Sequence, residues 1–271
     1  MISRWLAWLG LGLVPVAVSG CRGWPSASAS ASERMALAGA RFTNSLGMVF
    51  VAVPGTEVWF SIWDTRVRDY REYAAAYQLK WERPRFAQDA THPAVLVSWR
   101  EARAFCNWLI LHEQADGRLR RDWEYRLPTD AEWSVAVGLS GEPGGTPRQK
   151  AGKVPDVYPW GTQFPPPAGA GNYGPSVGVD AFEHTSPVGS FPPNRFGLYD
   201  LGGNVCQWCE DYHDSPGPAG HPGVAARVWR GSSWRAYYDA ELLSSYRGAA
   251  LPVKRSPYLG FRLVLADVAG R

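Results

Sequence analysis

The pattern of apolar and polar residues after residue 40 predicts a strand hairpin followed by a helix. Residues 48–53 and 58–62 are apolar runs of strand length, and the Pro-Gly pair between them favours a turn. Thr65 follows at a position that suits a helix N-cap. Beyond it, apolar residues recur at spacings of three and four, as on one face of an amphipathic helix, at Val67, Tyr70, Ala74 and Tyr77.

Two further helices have sequence signals in their first turns. Ser98 and Glu101 match the capping-box pattern, and Thr129 and Glu132 repeat it. The first of these helices is expected to end near residues 116–117, an Asp-Gly pair. Its apolar stripe consists of Ala102, Phe105, Cys106 and Leu109.

Residues 140–195 show neither helical nor strand periodicity, and the segment is far longer than an ordinary connection. It is rich in Gly and Pro, but it also contains aromatic residues, which are scarce in disordered segments. We therefore expect an ordered loop that is held against the rest of the domain. After it, strands are expected at residues 227–230, 242–247 and 260–265.

The N-terminal residues predict export. Arg4 is the only charge before an apolar run at residues 5–18, which is too short to span a bilayer comfortably and leads into small residues, as in a secretory signal. The run ends in VSGC, which resembles a bacterial lipobox whose cysteine, here Cys21, is acylated. We therefore expect a lipoprotein signal peptide at residues 1–20 and a protein of the cell envelope, lipid-anchored to a membrane and facing the periplasm or the outside. Ordinary cleavage within residues 27–31 is the alternative.

The rest of the chain is expected to form one folded unit after a short linker. Residues 21–40 are the predicted lipidated cysteine and flexible tether, because their Ser/Ala tract has nothing to bury. Residues 41–267 fit a single domain. The chain contains 14 Trp, 29 Gly and 22 Pro, which indicates many turns around large aromatic anchors. The net charge is only +3, with basic residues scattered among acidic ones, so no nucleic-acid-binding surface is expected.

Four motifs occur in the order found in one protein family. Residues 47–51 (GMVFV) resemble its opening strand, and residues 125–133 (YRLPTDAEW) resemble its RLPTEAEWE signature. Residues 197–205 (GLYDLGGNV) resemble its GLYDMxGNVWEW turn, and residues 230–234 (RGSSW) with 260–262 (GFR) resemble its RGGSW and GFR motifs. The chain thus resembles the formylglycine-generating enzyme, or sulfatase-modifying factor, family. This resemblance implies a loop-rich α+β fold of the C-type-lectin-like kind, formed by a single domain and stabilised by bound calcium.

The resemblance also implies two sets of calcium ligands, in keeping with the preference of this ion for about six to eight oxygen atoms. The first oxygen set comprises the side chains of Asn172 and Asp180 and the backbone carbonyls of Tyr173 and Phe182. We expect these residues to hold a structural calcium ion.

The second oxygen set comprises Asp200, the backbone carbonyls of Gly203 and Val205, and the side chain of Gln207. The family usually has glutamate at the last position, and a neutral amide offers the cation one negative charge fewer. We therefore expect weaker calcium binding here. The alternative is that Asp200 and Asn204 only cap the Gly-Gly turn through side-chain hydrogen bonds.

The cysteines of the predicted domain are Cys106, Cys206 and Cys209. The last two form a C-x-x-C pair, but a structural zinc site needs a second pair of ligands, and no cysteine follows Cys209. We expect all three to be buried core thiols. Enzymes of the family bind copper(I) through two cysteines shortly after the RGGS-aromatic motif, and the matching positions here are Ala236 and Glu241. No copper is therefore expected.

Two functions remain open from the sequence. The first is an exported, membrane-anchored domain without catalytic activity that binds a protein or a glycan outside the cytoplasm. The second is an oxidoreductase of the same family, acting in sulfatase maturation or in a non-haem iron reaction, with metal ligands such as His213 and neighbouring carboxylates in place of the missing cysteine pair. Otherwise, Asp211, His213 and Asp214 are expected to form a solvated loop.

Overall fold

A computed structural model describes residues 41–214 and 225–268, so the predicted signal peptide and tether, with Cys21, lie outside the described residues. The described part is a single mixed domain of sheets and helices. None of its helices is both long and apolar enough to cross a membrane. Its elements are β1 (Phe42–Thr43), β2 (Val49–Ala52), β3 (Val58–Ser61), α1 (Val67–Ala76), α2 (Trp99–Ala115), β4 (Trp123–Arg126), α3 (Asp130–Val137), α4 (Pro147–Lys150), a 3₁₀ helix (Pro175–Val177), β5 (Cys206–Tyr212), β6 (Arg227–Arg230), α5 (Asp239–Leu242), β7 (Arg247–Ala250), β8 (Leu259–Gly260) and β9 (Val264–Asp267).

The first sheet has five antiparallel strands in the order β1-β2-β3-β9-β4. It contains the predicted β2–β3 hairpin, in which Val51 lies opposite Phe60. Strand β9 lies between β3 and β4, so that Val264 is opposite Phe60 on one side and Arg126 on the other. The sheet therefore joins the two ends of the domain.

Alternation of side chains along these strands separates two apolar cores. Phe50 and Trp59 belong to the core that includes residues of α1 and α2. Val51 and Phe60, their immediate neighbours in sequence, belong to the second core, which contains Trp133 of α3. The first sheet is thus covered by helices on both faces.

The second sheet has the order β7-β6-β5-β8, with β5 antiparallel to β6 and parallel to β8. The strand predicted at residues 242–247 is wrong, because β7 begins only at Arg247. Before that point the Ser244 N–H donates to the carbonyl of Val157, 2.7 Å away in the long loop. This stretch therefore bonds to a loop instead of a strand.

The strand predicted at residues 260–265 is divided between the two sheets, as the end of β8 and the start of β9. In between, the carbonyls of Phe261 and Leu263 accept hydrogen bonds from the backbone N–H groups of Thr65 and Ser61. These hydrogen bonds hold the segment in which the chain passes from the second sheet to the first.

Both predicted capping boxes are confirmed. The Ser98 hydroxyl accepts the N–H of Glu101, and the Glu101 carboxylate accepts the N–H of Ser98 at 2.9 Å. Thr129 and Glu132 form the same pair of bonds at the start of α3. Each box satisfies N–H groups that the first helical turn leaves without partners.

The N-cap predicted for α1 is wrong, because Arg66 occupies that position and the helix begins at Val67. The Thr65 N–H donates to the carbonyl of Phe261, which holds Thr65 in the crossing between the sheets. The Asp69 carboxylate instead accepts the N–H of Arg66 at 2.9 Å and caps the helix from within.

The long loop is ordered, as expected, and aromatic rings fix its course. The ring of Tyr158 stacks on Trp160 at a centroid distance of 4.9 Å and on Phe164 at 5.6 Å. Tyr173 is 1% exposed and shares a small third core with Leu242. Burial of rings thus compensates for the lack of regular hydrogen bonding in this segment.

A buried charge cluster attaches α3 to the second sheet. The Asp130 carboxylate accepts hydrogen bonds from Arg230 at 2.6 Å and from Arg247 at 2.8 Å, and both guanidinium groups are fully buried. Arg247 also pairs with Glu142 at 2.6 Å. Burial alone would raise the pKa of Asp130, but the two arginines outweigh this effect and lower it. The folded state therefore favours the ionised form of this carboxyl group.

Replacing Asp130 by Asn keeps the shape of the side chain but leaves two buried cations with one carboxylate. We expect Asp130→Asn to lower the free energy of unfolding by about 3–5 kcal/mol in urea denaturation, as for other broken buried ion pairs. Asp156→Asn, at an exposed carboxylate, should change little.

The same variants test the pH dependence. Because the pKa of Asp130 is lowered on folding, its stabilisation is present above the ordinary Asp pKa of about 4 and is lost as the pH falls through the folded-state value. Wild-type protein should therefore lose stability more steeply than Asp130→Asn in acid. Parallel pH profiles for the two proteins would contradict this role.

Candidate functional site

A fully buried arginine organises the space between the two sheets. Arg262 donates from Nη1 to the carbonyl of Ser61 at 3.0 Å, and from Nη2 to the carbonyl of Tyr199 at 2.6 Å. Its Nε donates to Oε1 of Gln207 in β5 at 2.8 Å. The buried carboxyl group of Asp64 lies 3.7 Å from the guanidinium group, and burial raises the pKa of Asp64 well above its ordinary value although the charge of Arg262 opposes this shift. Burial lowers the pKa of Arg262, and the charge of Asp64 opposes this shift.

Hydrogen bonds connect Asp180 to two other residues of the first oxygen set. The Asp180 carboxylate accepts the N–H of Tyr173 at 3.0 Å and the N–H of Phe182 at 2.8 Å, which folds the loop onto itself. Asn172 is fully buried, and its Nδ2 donates to the carbonyl of His184 at 2.8 Å. Its Oδ1 is buried and accepts no hydrogen bond from the described residues. A bound cation satisfies such an oxygen, so this set fits a calcium ion.

The two oxygen sets are adjacent. The Asn204 N–H donates to the carbonyl of Asn172 at 2.8 Å. Gly203 has a φ of +81°, and a Cβ at this position would lie 2.5 Å from the same carbonyl oxygen, so the close approach requires glycine. The Asn204 side chain bonds to the N–H and the carbonyl of Ser186, and therefore joins the turn to the preceding segment of the loop.

The second oxygen set presents a hydrogen-bond donor where calcium needs an oxygen. Gln207 Oε1 accepts hydrogen bonds from Arg262 and, at 2.9 Å, from Nε1 of Trp133. These two donors fix the orientation of the amide, so that Nε2 donates to the carbonyl of Asp200 at 2.6 Å. The Asp200 carboxylate accepts the N–H of Gly189 at 2.7 Å, and burial raises its pKa to about 6. This set fits a calcium ion poorly.

A cleft of about 280 Å³ lies beside the second sheet, and we call it the tyrosine cleft. Both Ala236 and Glu241, the positions that the motif resemblance aligns with copper-binding cysteines, line this cleft. Its other polar side chains include Cys206, Ser233 and Arg235. Its aromatic residues are Trp229, Tyr237, Tyr238, Tyr246 and Tyr258.

The C-x-x-C pair lies on strand β5, where residues three apart point to opposite faces. Cys206 belongs to the first core and Cys209 to the second, so the two thiols do not converge on one metal ion. Cys106, Cys206 and Cys209 are buried and free, which confirms the prediction of core thiols. Cys206 additionally reaches the tyrosine cleft, and burial raises its pKa. It is therefore a poor thiolate donor.

The carboxylates near His213 have other partners. Asp211 accepts the N–H of Asp130 at 2.6 Å, and Asp214 pairs with Arg148 at 2.9 Å. His213 is half-buried, with its N–H bonded to a backbone carbonyl. Within the part of the chain that the structure describes, no three His, Cys, Asp or Glu side chains come together in a group that could hold a metal ion.

The aromatic lining of the tyrosine cleft was not predicted from the sequence. Tyr237 and Tyr238 are adjacent and follow the RGSSW motif directly. They are 53% and 57% exposed, which is unusual for two neighbouring large side chains. The adjacent tyrosines, next to the two positions aligned with the copper ligands, are the sequence feature from which an aromatic cleft could have been predicted.

Comparison with known proteins shows which family the chain belongs to. The sequence model of one protein family, the sulfatase-modifying factor enzyme 1-like domain, matches residues 37–267. The chain therefore belongs to the formylglycine-generating enzyme family, and the resemblance seen in its motifs is confirmed.

Some of the individual relatives are named as enzymes and others are named as inactive enzymes. An inactive Cα-formylglycine-generating enzyme 2 of Mus musculus is 36% identical over 196 residues, which are 66% of this chain and 50% of the relative. A formylglycine-generating enzyme of Streptomyces coelicolor is 33% identical over 67% of this chain and 57% of the relative. The chain spans about half the length of the curated relatives it matches.

Solved structures support the same fold. PvdO from Pseudomonas aeruginosa superposes with a TM-score of 0.56 at 25% identity, over 82% of both chains. CarF superposes with a TM-score of 0.52 at 20% identity, over 83% of this chain and 95% of CarF, which shows the fold alone. The predicted α+β, single-domain architecture of this family is confirmed.

Gln207→Glu tests whether the amide nitrogen of Gln207 is what makes the second oxygen set a poor calcium site. A carboxylate would still accept from Arg262, but it would turn an oxygen, in place of Nε2, toward the carbonyl of Asp200. In EDTA we expect a lower melting temperature than that of wild type, because two oxygens would face each other. Adding calcium should raise the melting temperature more than it does in wild type, since a free calcium concentration of about 100 times Kd stabilises the folded state by about 2.7 kcal/mol. Asn172→Ala provides the control, because it should remove the calcium response at the first oxygen set. Equal calcium responses of Gln207→Glu and wild type would contradict the assignment.

Proposed function

We propose that this chain is an exported, lipid-anchored member of the family without oxidase activity, whose tyrosine cleft binds a protein or glycan outside the cytoplasm. The observation that carries the proposal is the chemistry of the cleft. Ala236 and Glu241 stand at the positions that match the copper ligands, and Cys206 is the one thiol among the described cleft residues. Copper(I) prefers soft thiolate ligands, which Ala236 and Glu241 do not supply.

The relatives support a binding role without the oxidase reaction. The mouse relative at 36% identity is named an inactive enzyme, so the family includes a member whose name denies that activity. Fold alone does not confer a reaction, and the function must be argued from the site. In this chain the cleft is open and rich in aromatic rings, which are well suited to recognition.

We further propose one structural calcium ion at the first oxygen set. The loop that carries this set touches the tyrosine cleft, because the N–H of Gly174 donates to the carbonyl of Ala236 at 2.8 Å. Gly174 directly follows Tyr173 of the set. Calcium would neutralise the Asp180 carboxylate and satisfy the buried Oδ1 of Asn172. Its structural effect would therefore reach one wall of the cleft.

The absence of oxidase activity is tested with copper. The full chain, incubated with copper(I), oxygen and a sulfatase-type cysteine peptide, should yield no formylglycine by mass spectrometry. The double variant Ala236→Cys, Glu241→Cys should bind copper(I) in competition with a chromogenic chelator, whereas wild-type protein should not. Peptide oxidation by the wild-type chain at the rate of a family enzyme would refute the proposal.

Export and anchoring are tested at Cys21. In cells, the wild-type chain should incorporate labelled palmitate and sediment with membranes. Cys21→Ser should lose the label and leave the membrane fraction, because stable anchoring needs the acyl chains. Cys106→Ser, at a buried core thiol, is the matched control and should keep both properties. Unchanged labelling of Cys21→Ser would exclude acylation at this residue.

A further inference from the structure

The tyrosine cleft contains a carboxylate without a counter-charge. Glu241 lines the cleft and is half-buried, and it forms no ion pair with any residue in the described part of the chain. Its backbone is fixed, since its carbonyl accepts the hydroxyl of Ser232 at 2.7 Å. Burial raises the pKa of Tyr246, and the charge of Glu241 raises it further. The carboxylate therefore acts on the interior of the cleft.

Aromatic rings line the same cleft as this charge. The rings of Tyr237 and Tyr238 lie 4.1 Å apart, and their hydroxyls share a hydrogen bond of 2.9 Å. The rings of Trp229 and Tyr246 form a second pair at 5.6 Å. The faces of Trp and Tyr rings carry negative potential and attract cations, and most strongly so where water is displaced.

One cation already lies on this wall. The guanidinium of Arg235 is 5.1 Å from the centroid of the Tyr258 ring, and Arg235 is exposed at the rim. A ligand anion would meet Arg235 at the rim, where solvent screens the interaction. A ligand cation that goes deeper meets Glu241, which is less exposed to solvent. Charge complementarity therefore favours a cation inside the cleft.

We propose that the tyrosine cleft binds an alkylammonium group, with Glu241 as its counter-charge and Tyr237, Tyr238 and Trp229 as its aromatic walls. The group can be the side chain of a lysine or a quaternary ammonium of choline type, which share this chemistry. The inference rests on the proposed function only in treating the cleft as a binding site.

Calorimetric titration of the full chain in a maltoside detergent tests this proposal. Choline and Nα-acetyl-lysine amide are the probes, and 3,3-dimethylbutan-1-ol is the neutral isostere of choline. At least one of the two cations should bind. If choline is the preferred cation, it should bind at least about fivefold more tightly than its neutral isostere, in keeping with cation–π energies. The preferred probe distinguishes the two sources of the ammonium group. Binding of neither cation, or equal binding of choline and its isostere without binding of the lysine derivative, overturns the proposal.

Variants then locate the binding. Glu241→Gln removes a charge that forms no ion pair with the described residues, so the variant should fold normally. It should bind the preferred cation about tenfold more weakly. Tyr238→Phe should retain binding, whereas Tyr238→Ala should weaken it by about fivefold. Glu57→Gln, at an exposed carboxylate outside the cleft, should bind as wild type does.

The failures of the two proposals are distinguishable. Unchanged affinity of Glu241→Gln, with its melting temperature preserved, overturns the ammonium site but leaves the non-catalytic binding role intact. Oxidation of a cysteine peptide by the wild-type chain overturns the binding role, whatever the titrations show.

Discussion

The buried guanidinium of Arg262 is the interaction on which the arrangement of the two sheets depends. It lies where the chain crosses from β8 to β9, and it bonds to the carbonyls of Ser61 and Tyr199 and to Gln207. Because water does not reach this group, each of its donors needs an acceptor from the protein. The carboxyl group of Asp64 lies 3.7 Å away, but its own burial raises its pKa well above the ordinary value, so the carbonyl and amide acceptors, more than Asp64, satisfy the guanidinium group. Loss of one of these acceptors would leave a buried N–H group without a partner, which typically costs about 1–3 kcal/mol.

The same arginine determines what the Gly-Gly turn can bind. Since Arg262 and Trp133 both donate to Oε1 of Gln207, the amide cannot reverse without placing its amino group against two donors. Nε2 must then face the carbonyl of Asp200. A glutamate in this position would satisfy Arg262 equally well and still offer an oxygen to a cation. With nitrogen at this atom of residue 207, the turn is held by an internal hydrogen bond. With oxygen there, the turn could instead be held by calcium.

Sequence predictions succeeded where the determining contacts are local. The capping boxes at Ser98 and Thr129 involve residues three positions apart, and the β2–β3 hairpin pairs neighbouring strands. The predictions at Thr65 and at residues 242–247 failed because the controlling partners, Phe261 and the long loop, are distant in sequence. For the candidate site, the family motifs supplied the oxygen sets, and only the structure shows that Asn172 Oδ1 is buried without a hydrogen bond from the described residues. Neither the orientation of an amide nor convergence of aromatic rings on one cleft leaves a periodic signal.

The framework and the cleft are under different physical constraints. Framework groups such as Arg262 and Asp130 are buried and bonded, so each substitution there breaks several interactions. Around the cleft, positions are instead fixed through the backbone: the carbonyl of Ala236 accepts from Gly174, and the carbonyl of Glu241 accepts from Ser232. The backbone at 236 and 241 is therefore held in place whatever the charge of the side chain at 241, while the methyl group of Ala236 also packs in the third core. A change of side chain at Glu241 would therefore alter the chemistry of the cleft while the backbone around it keeps its hydrogen bonds.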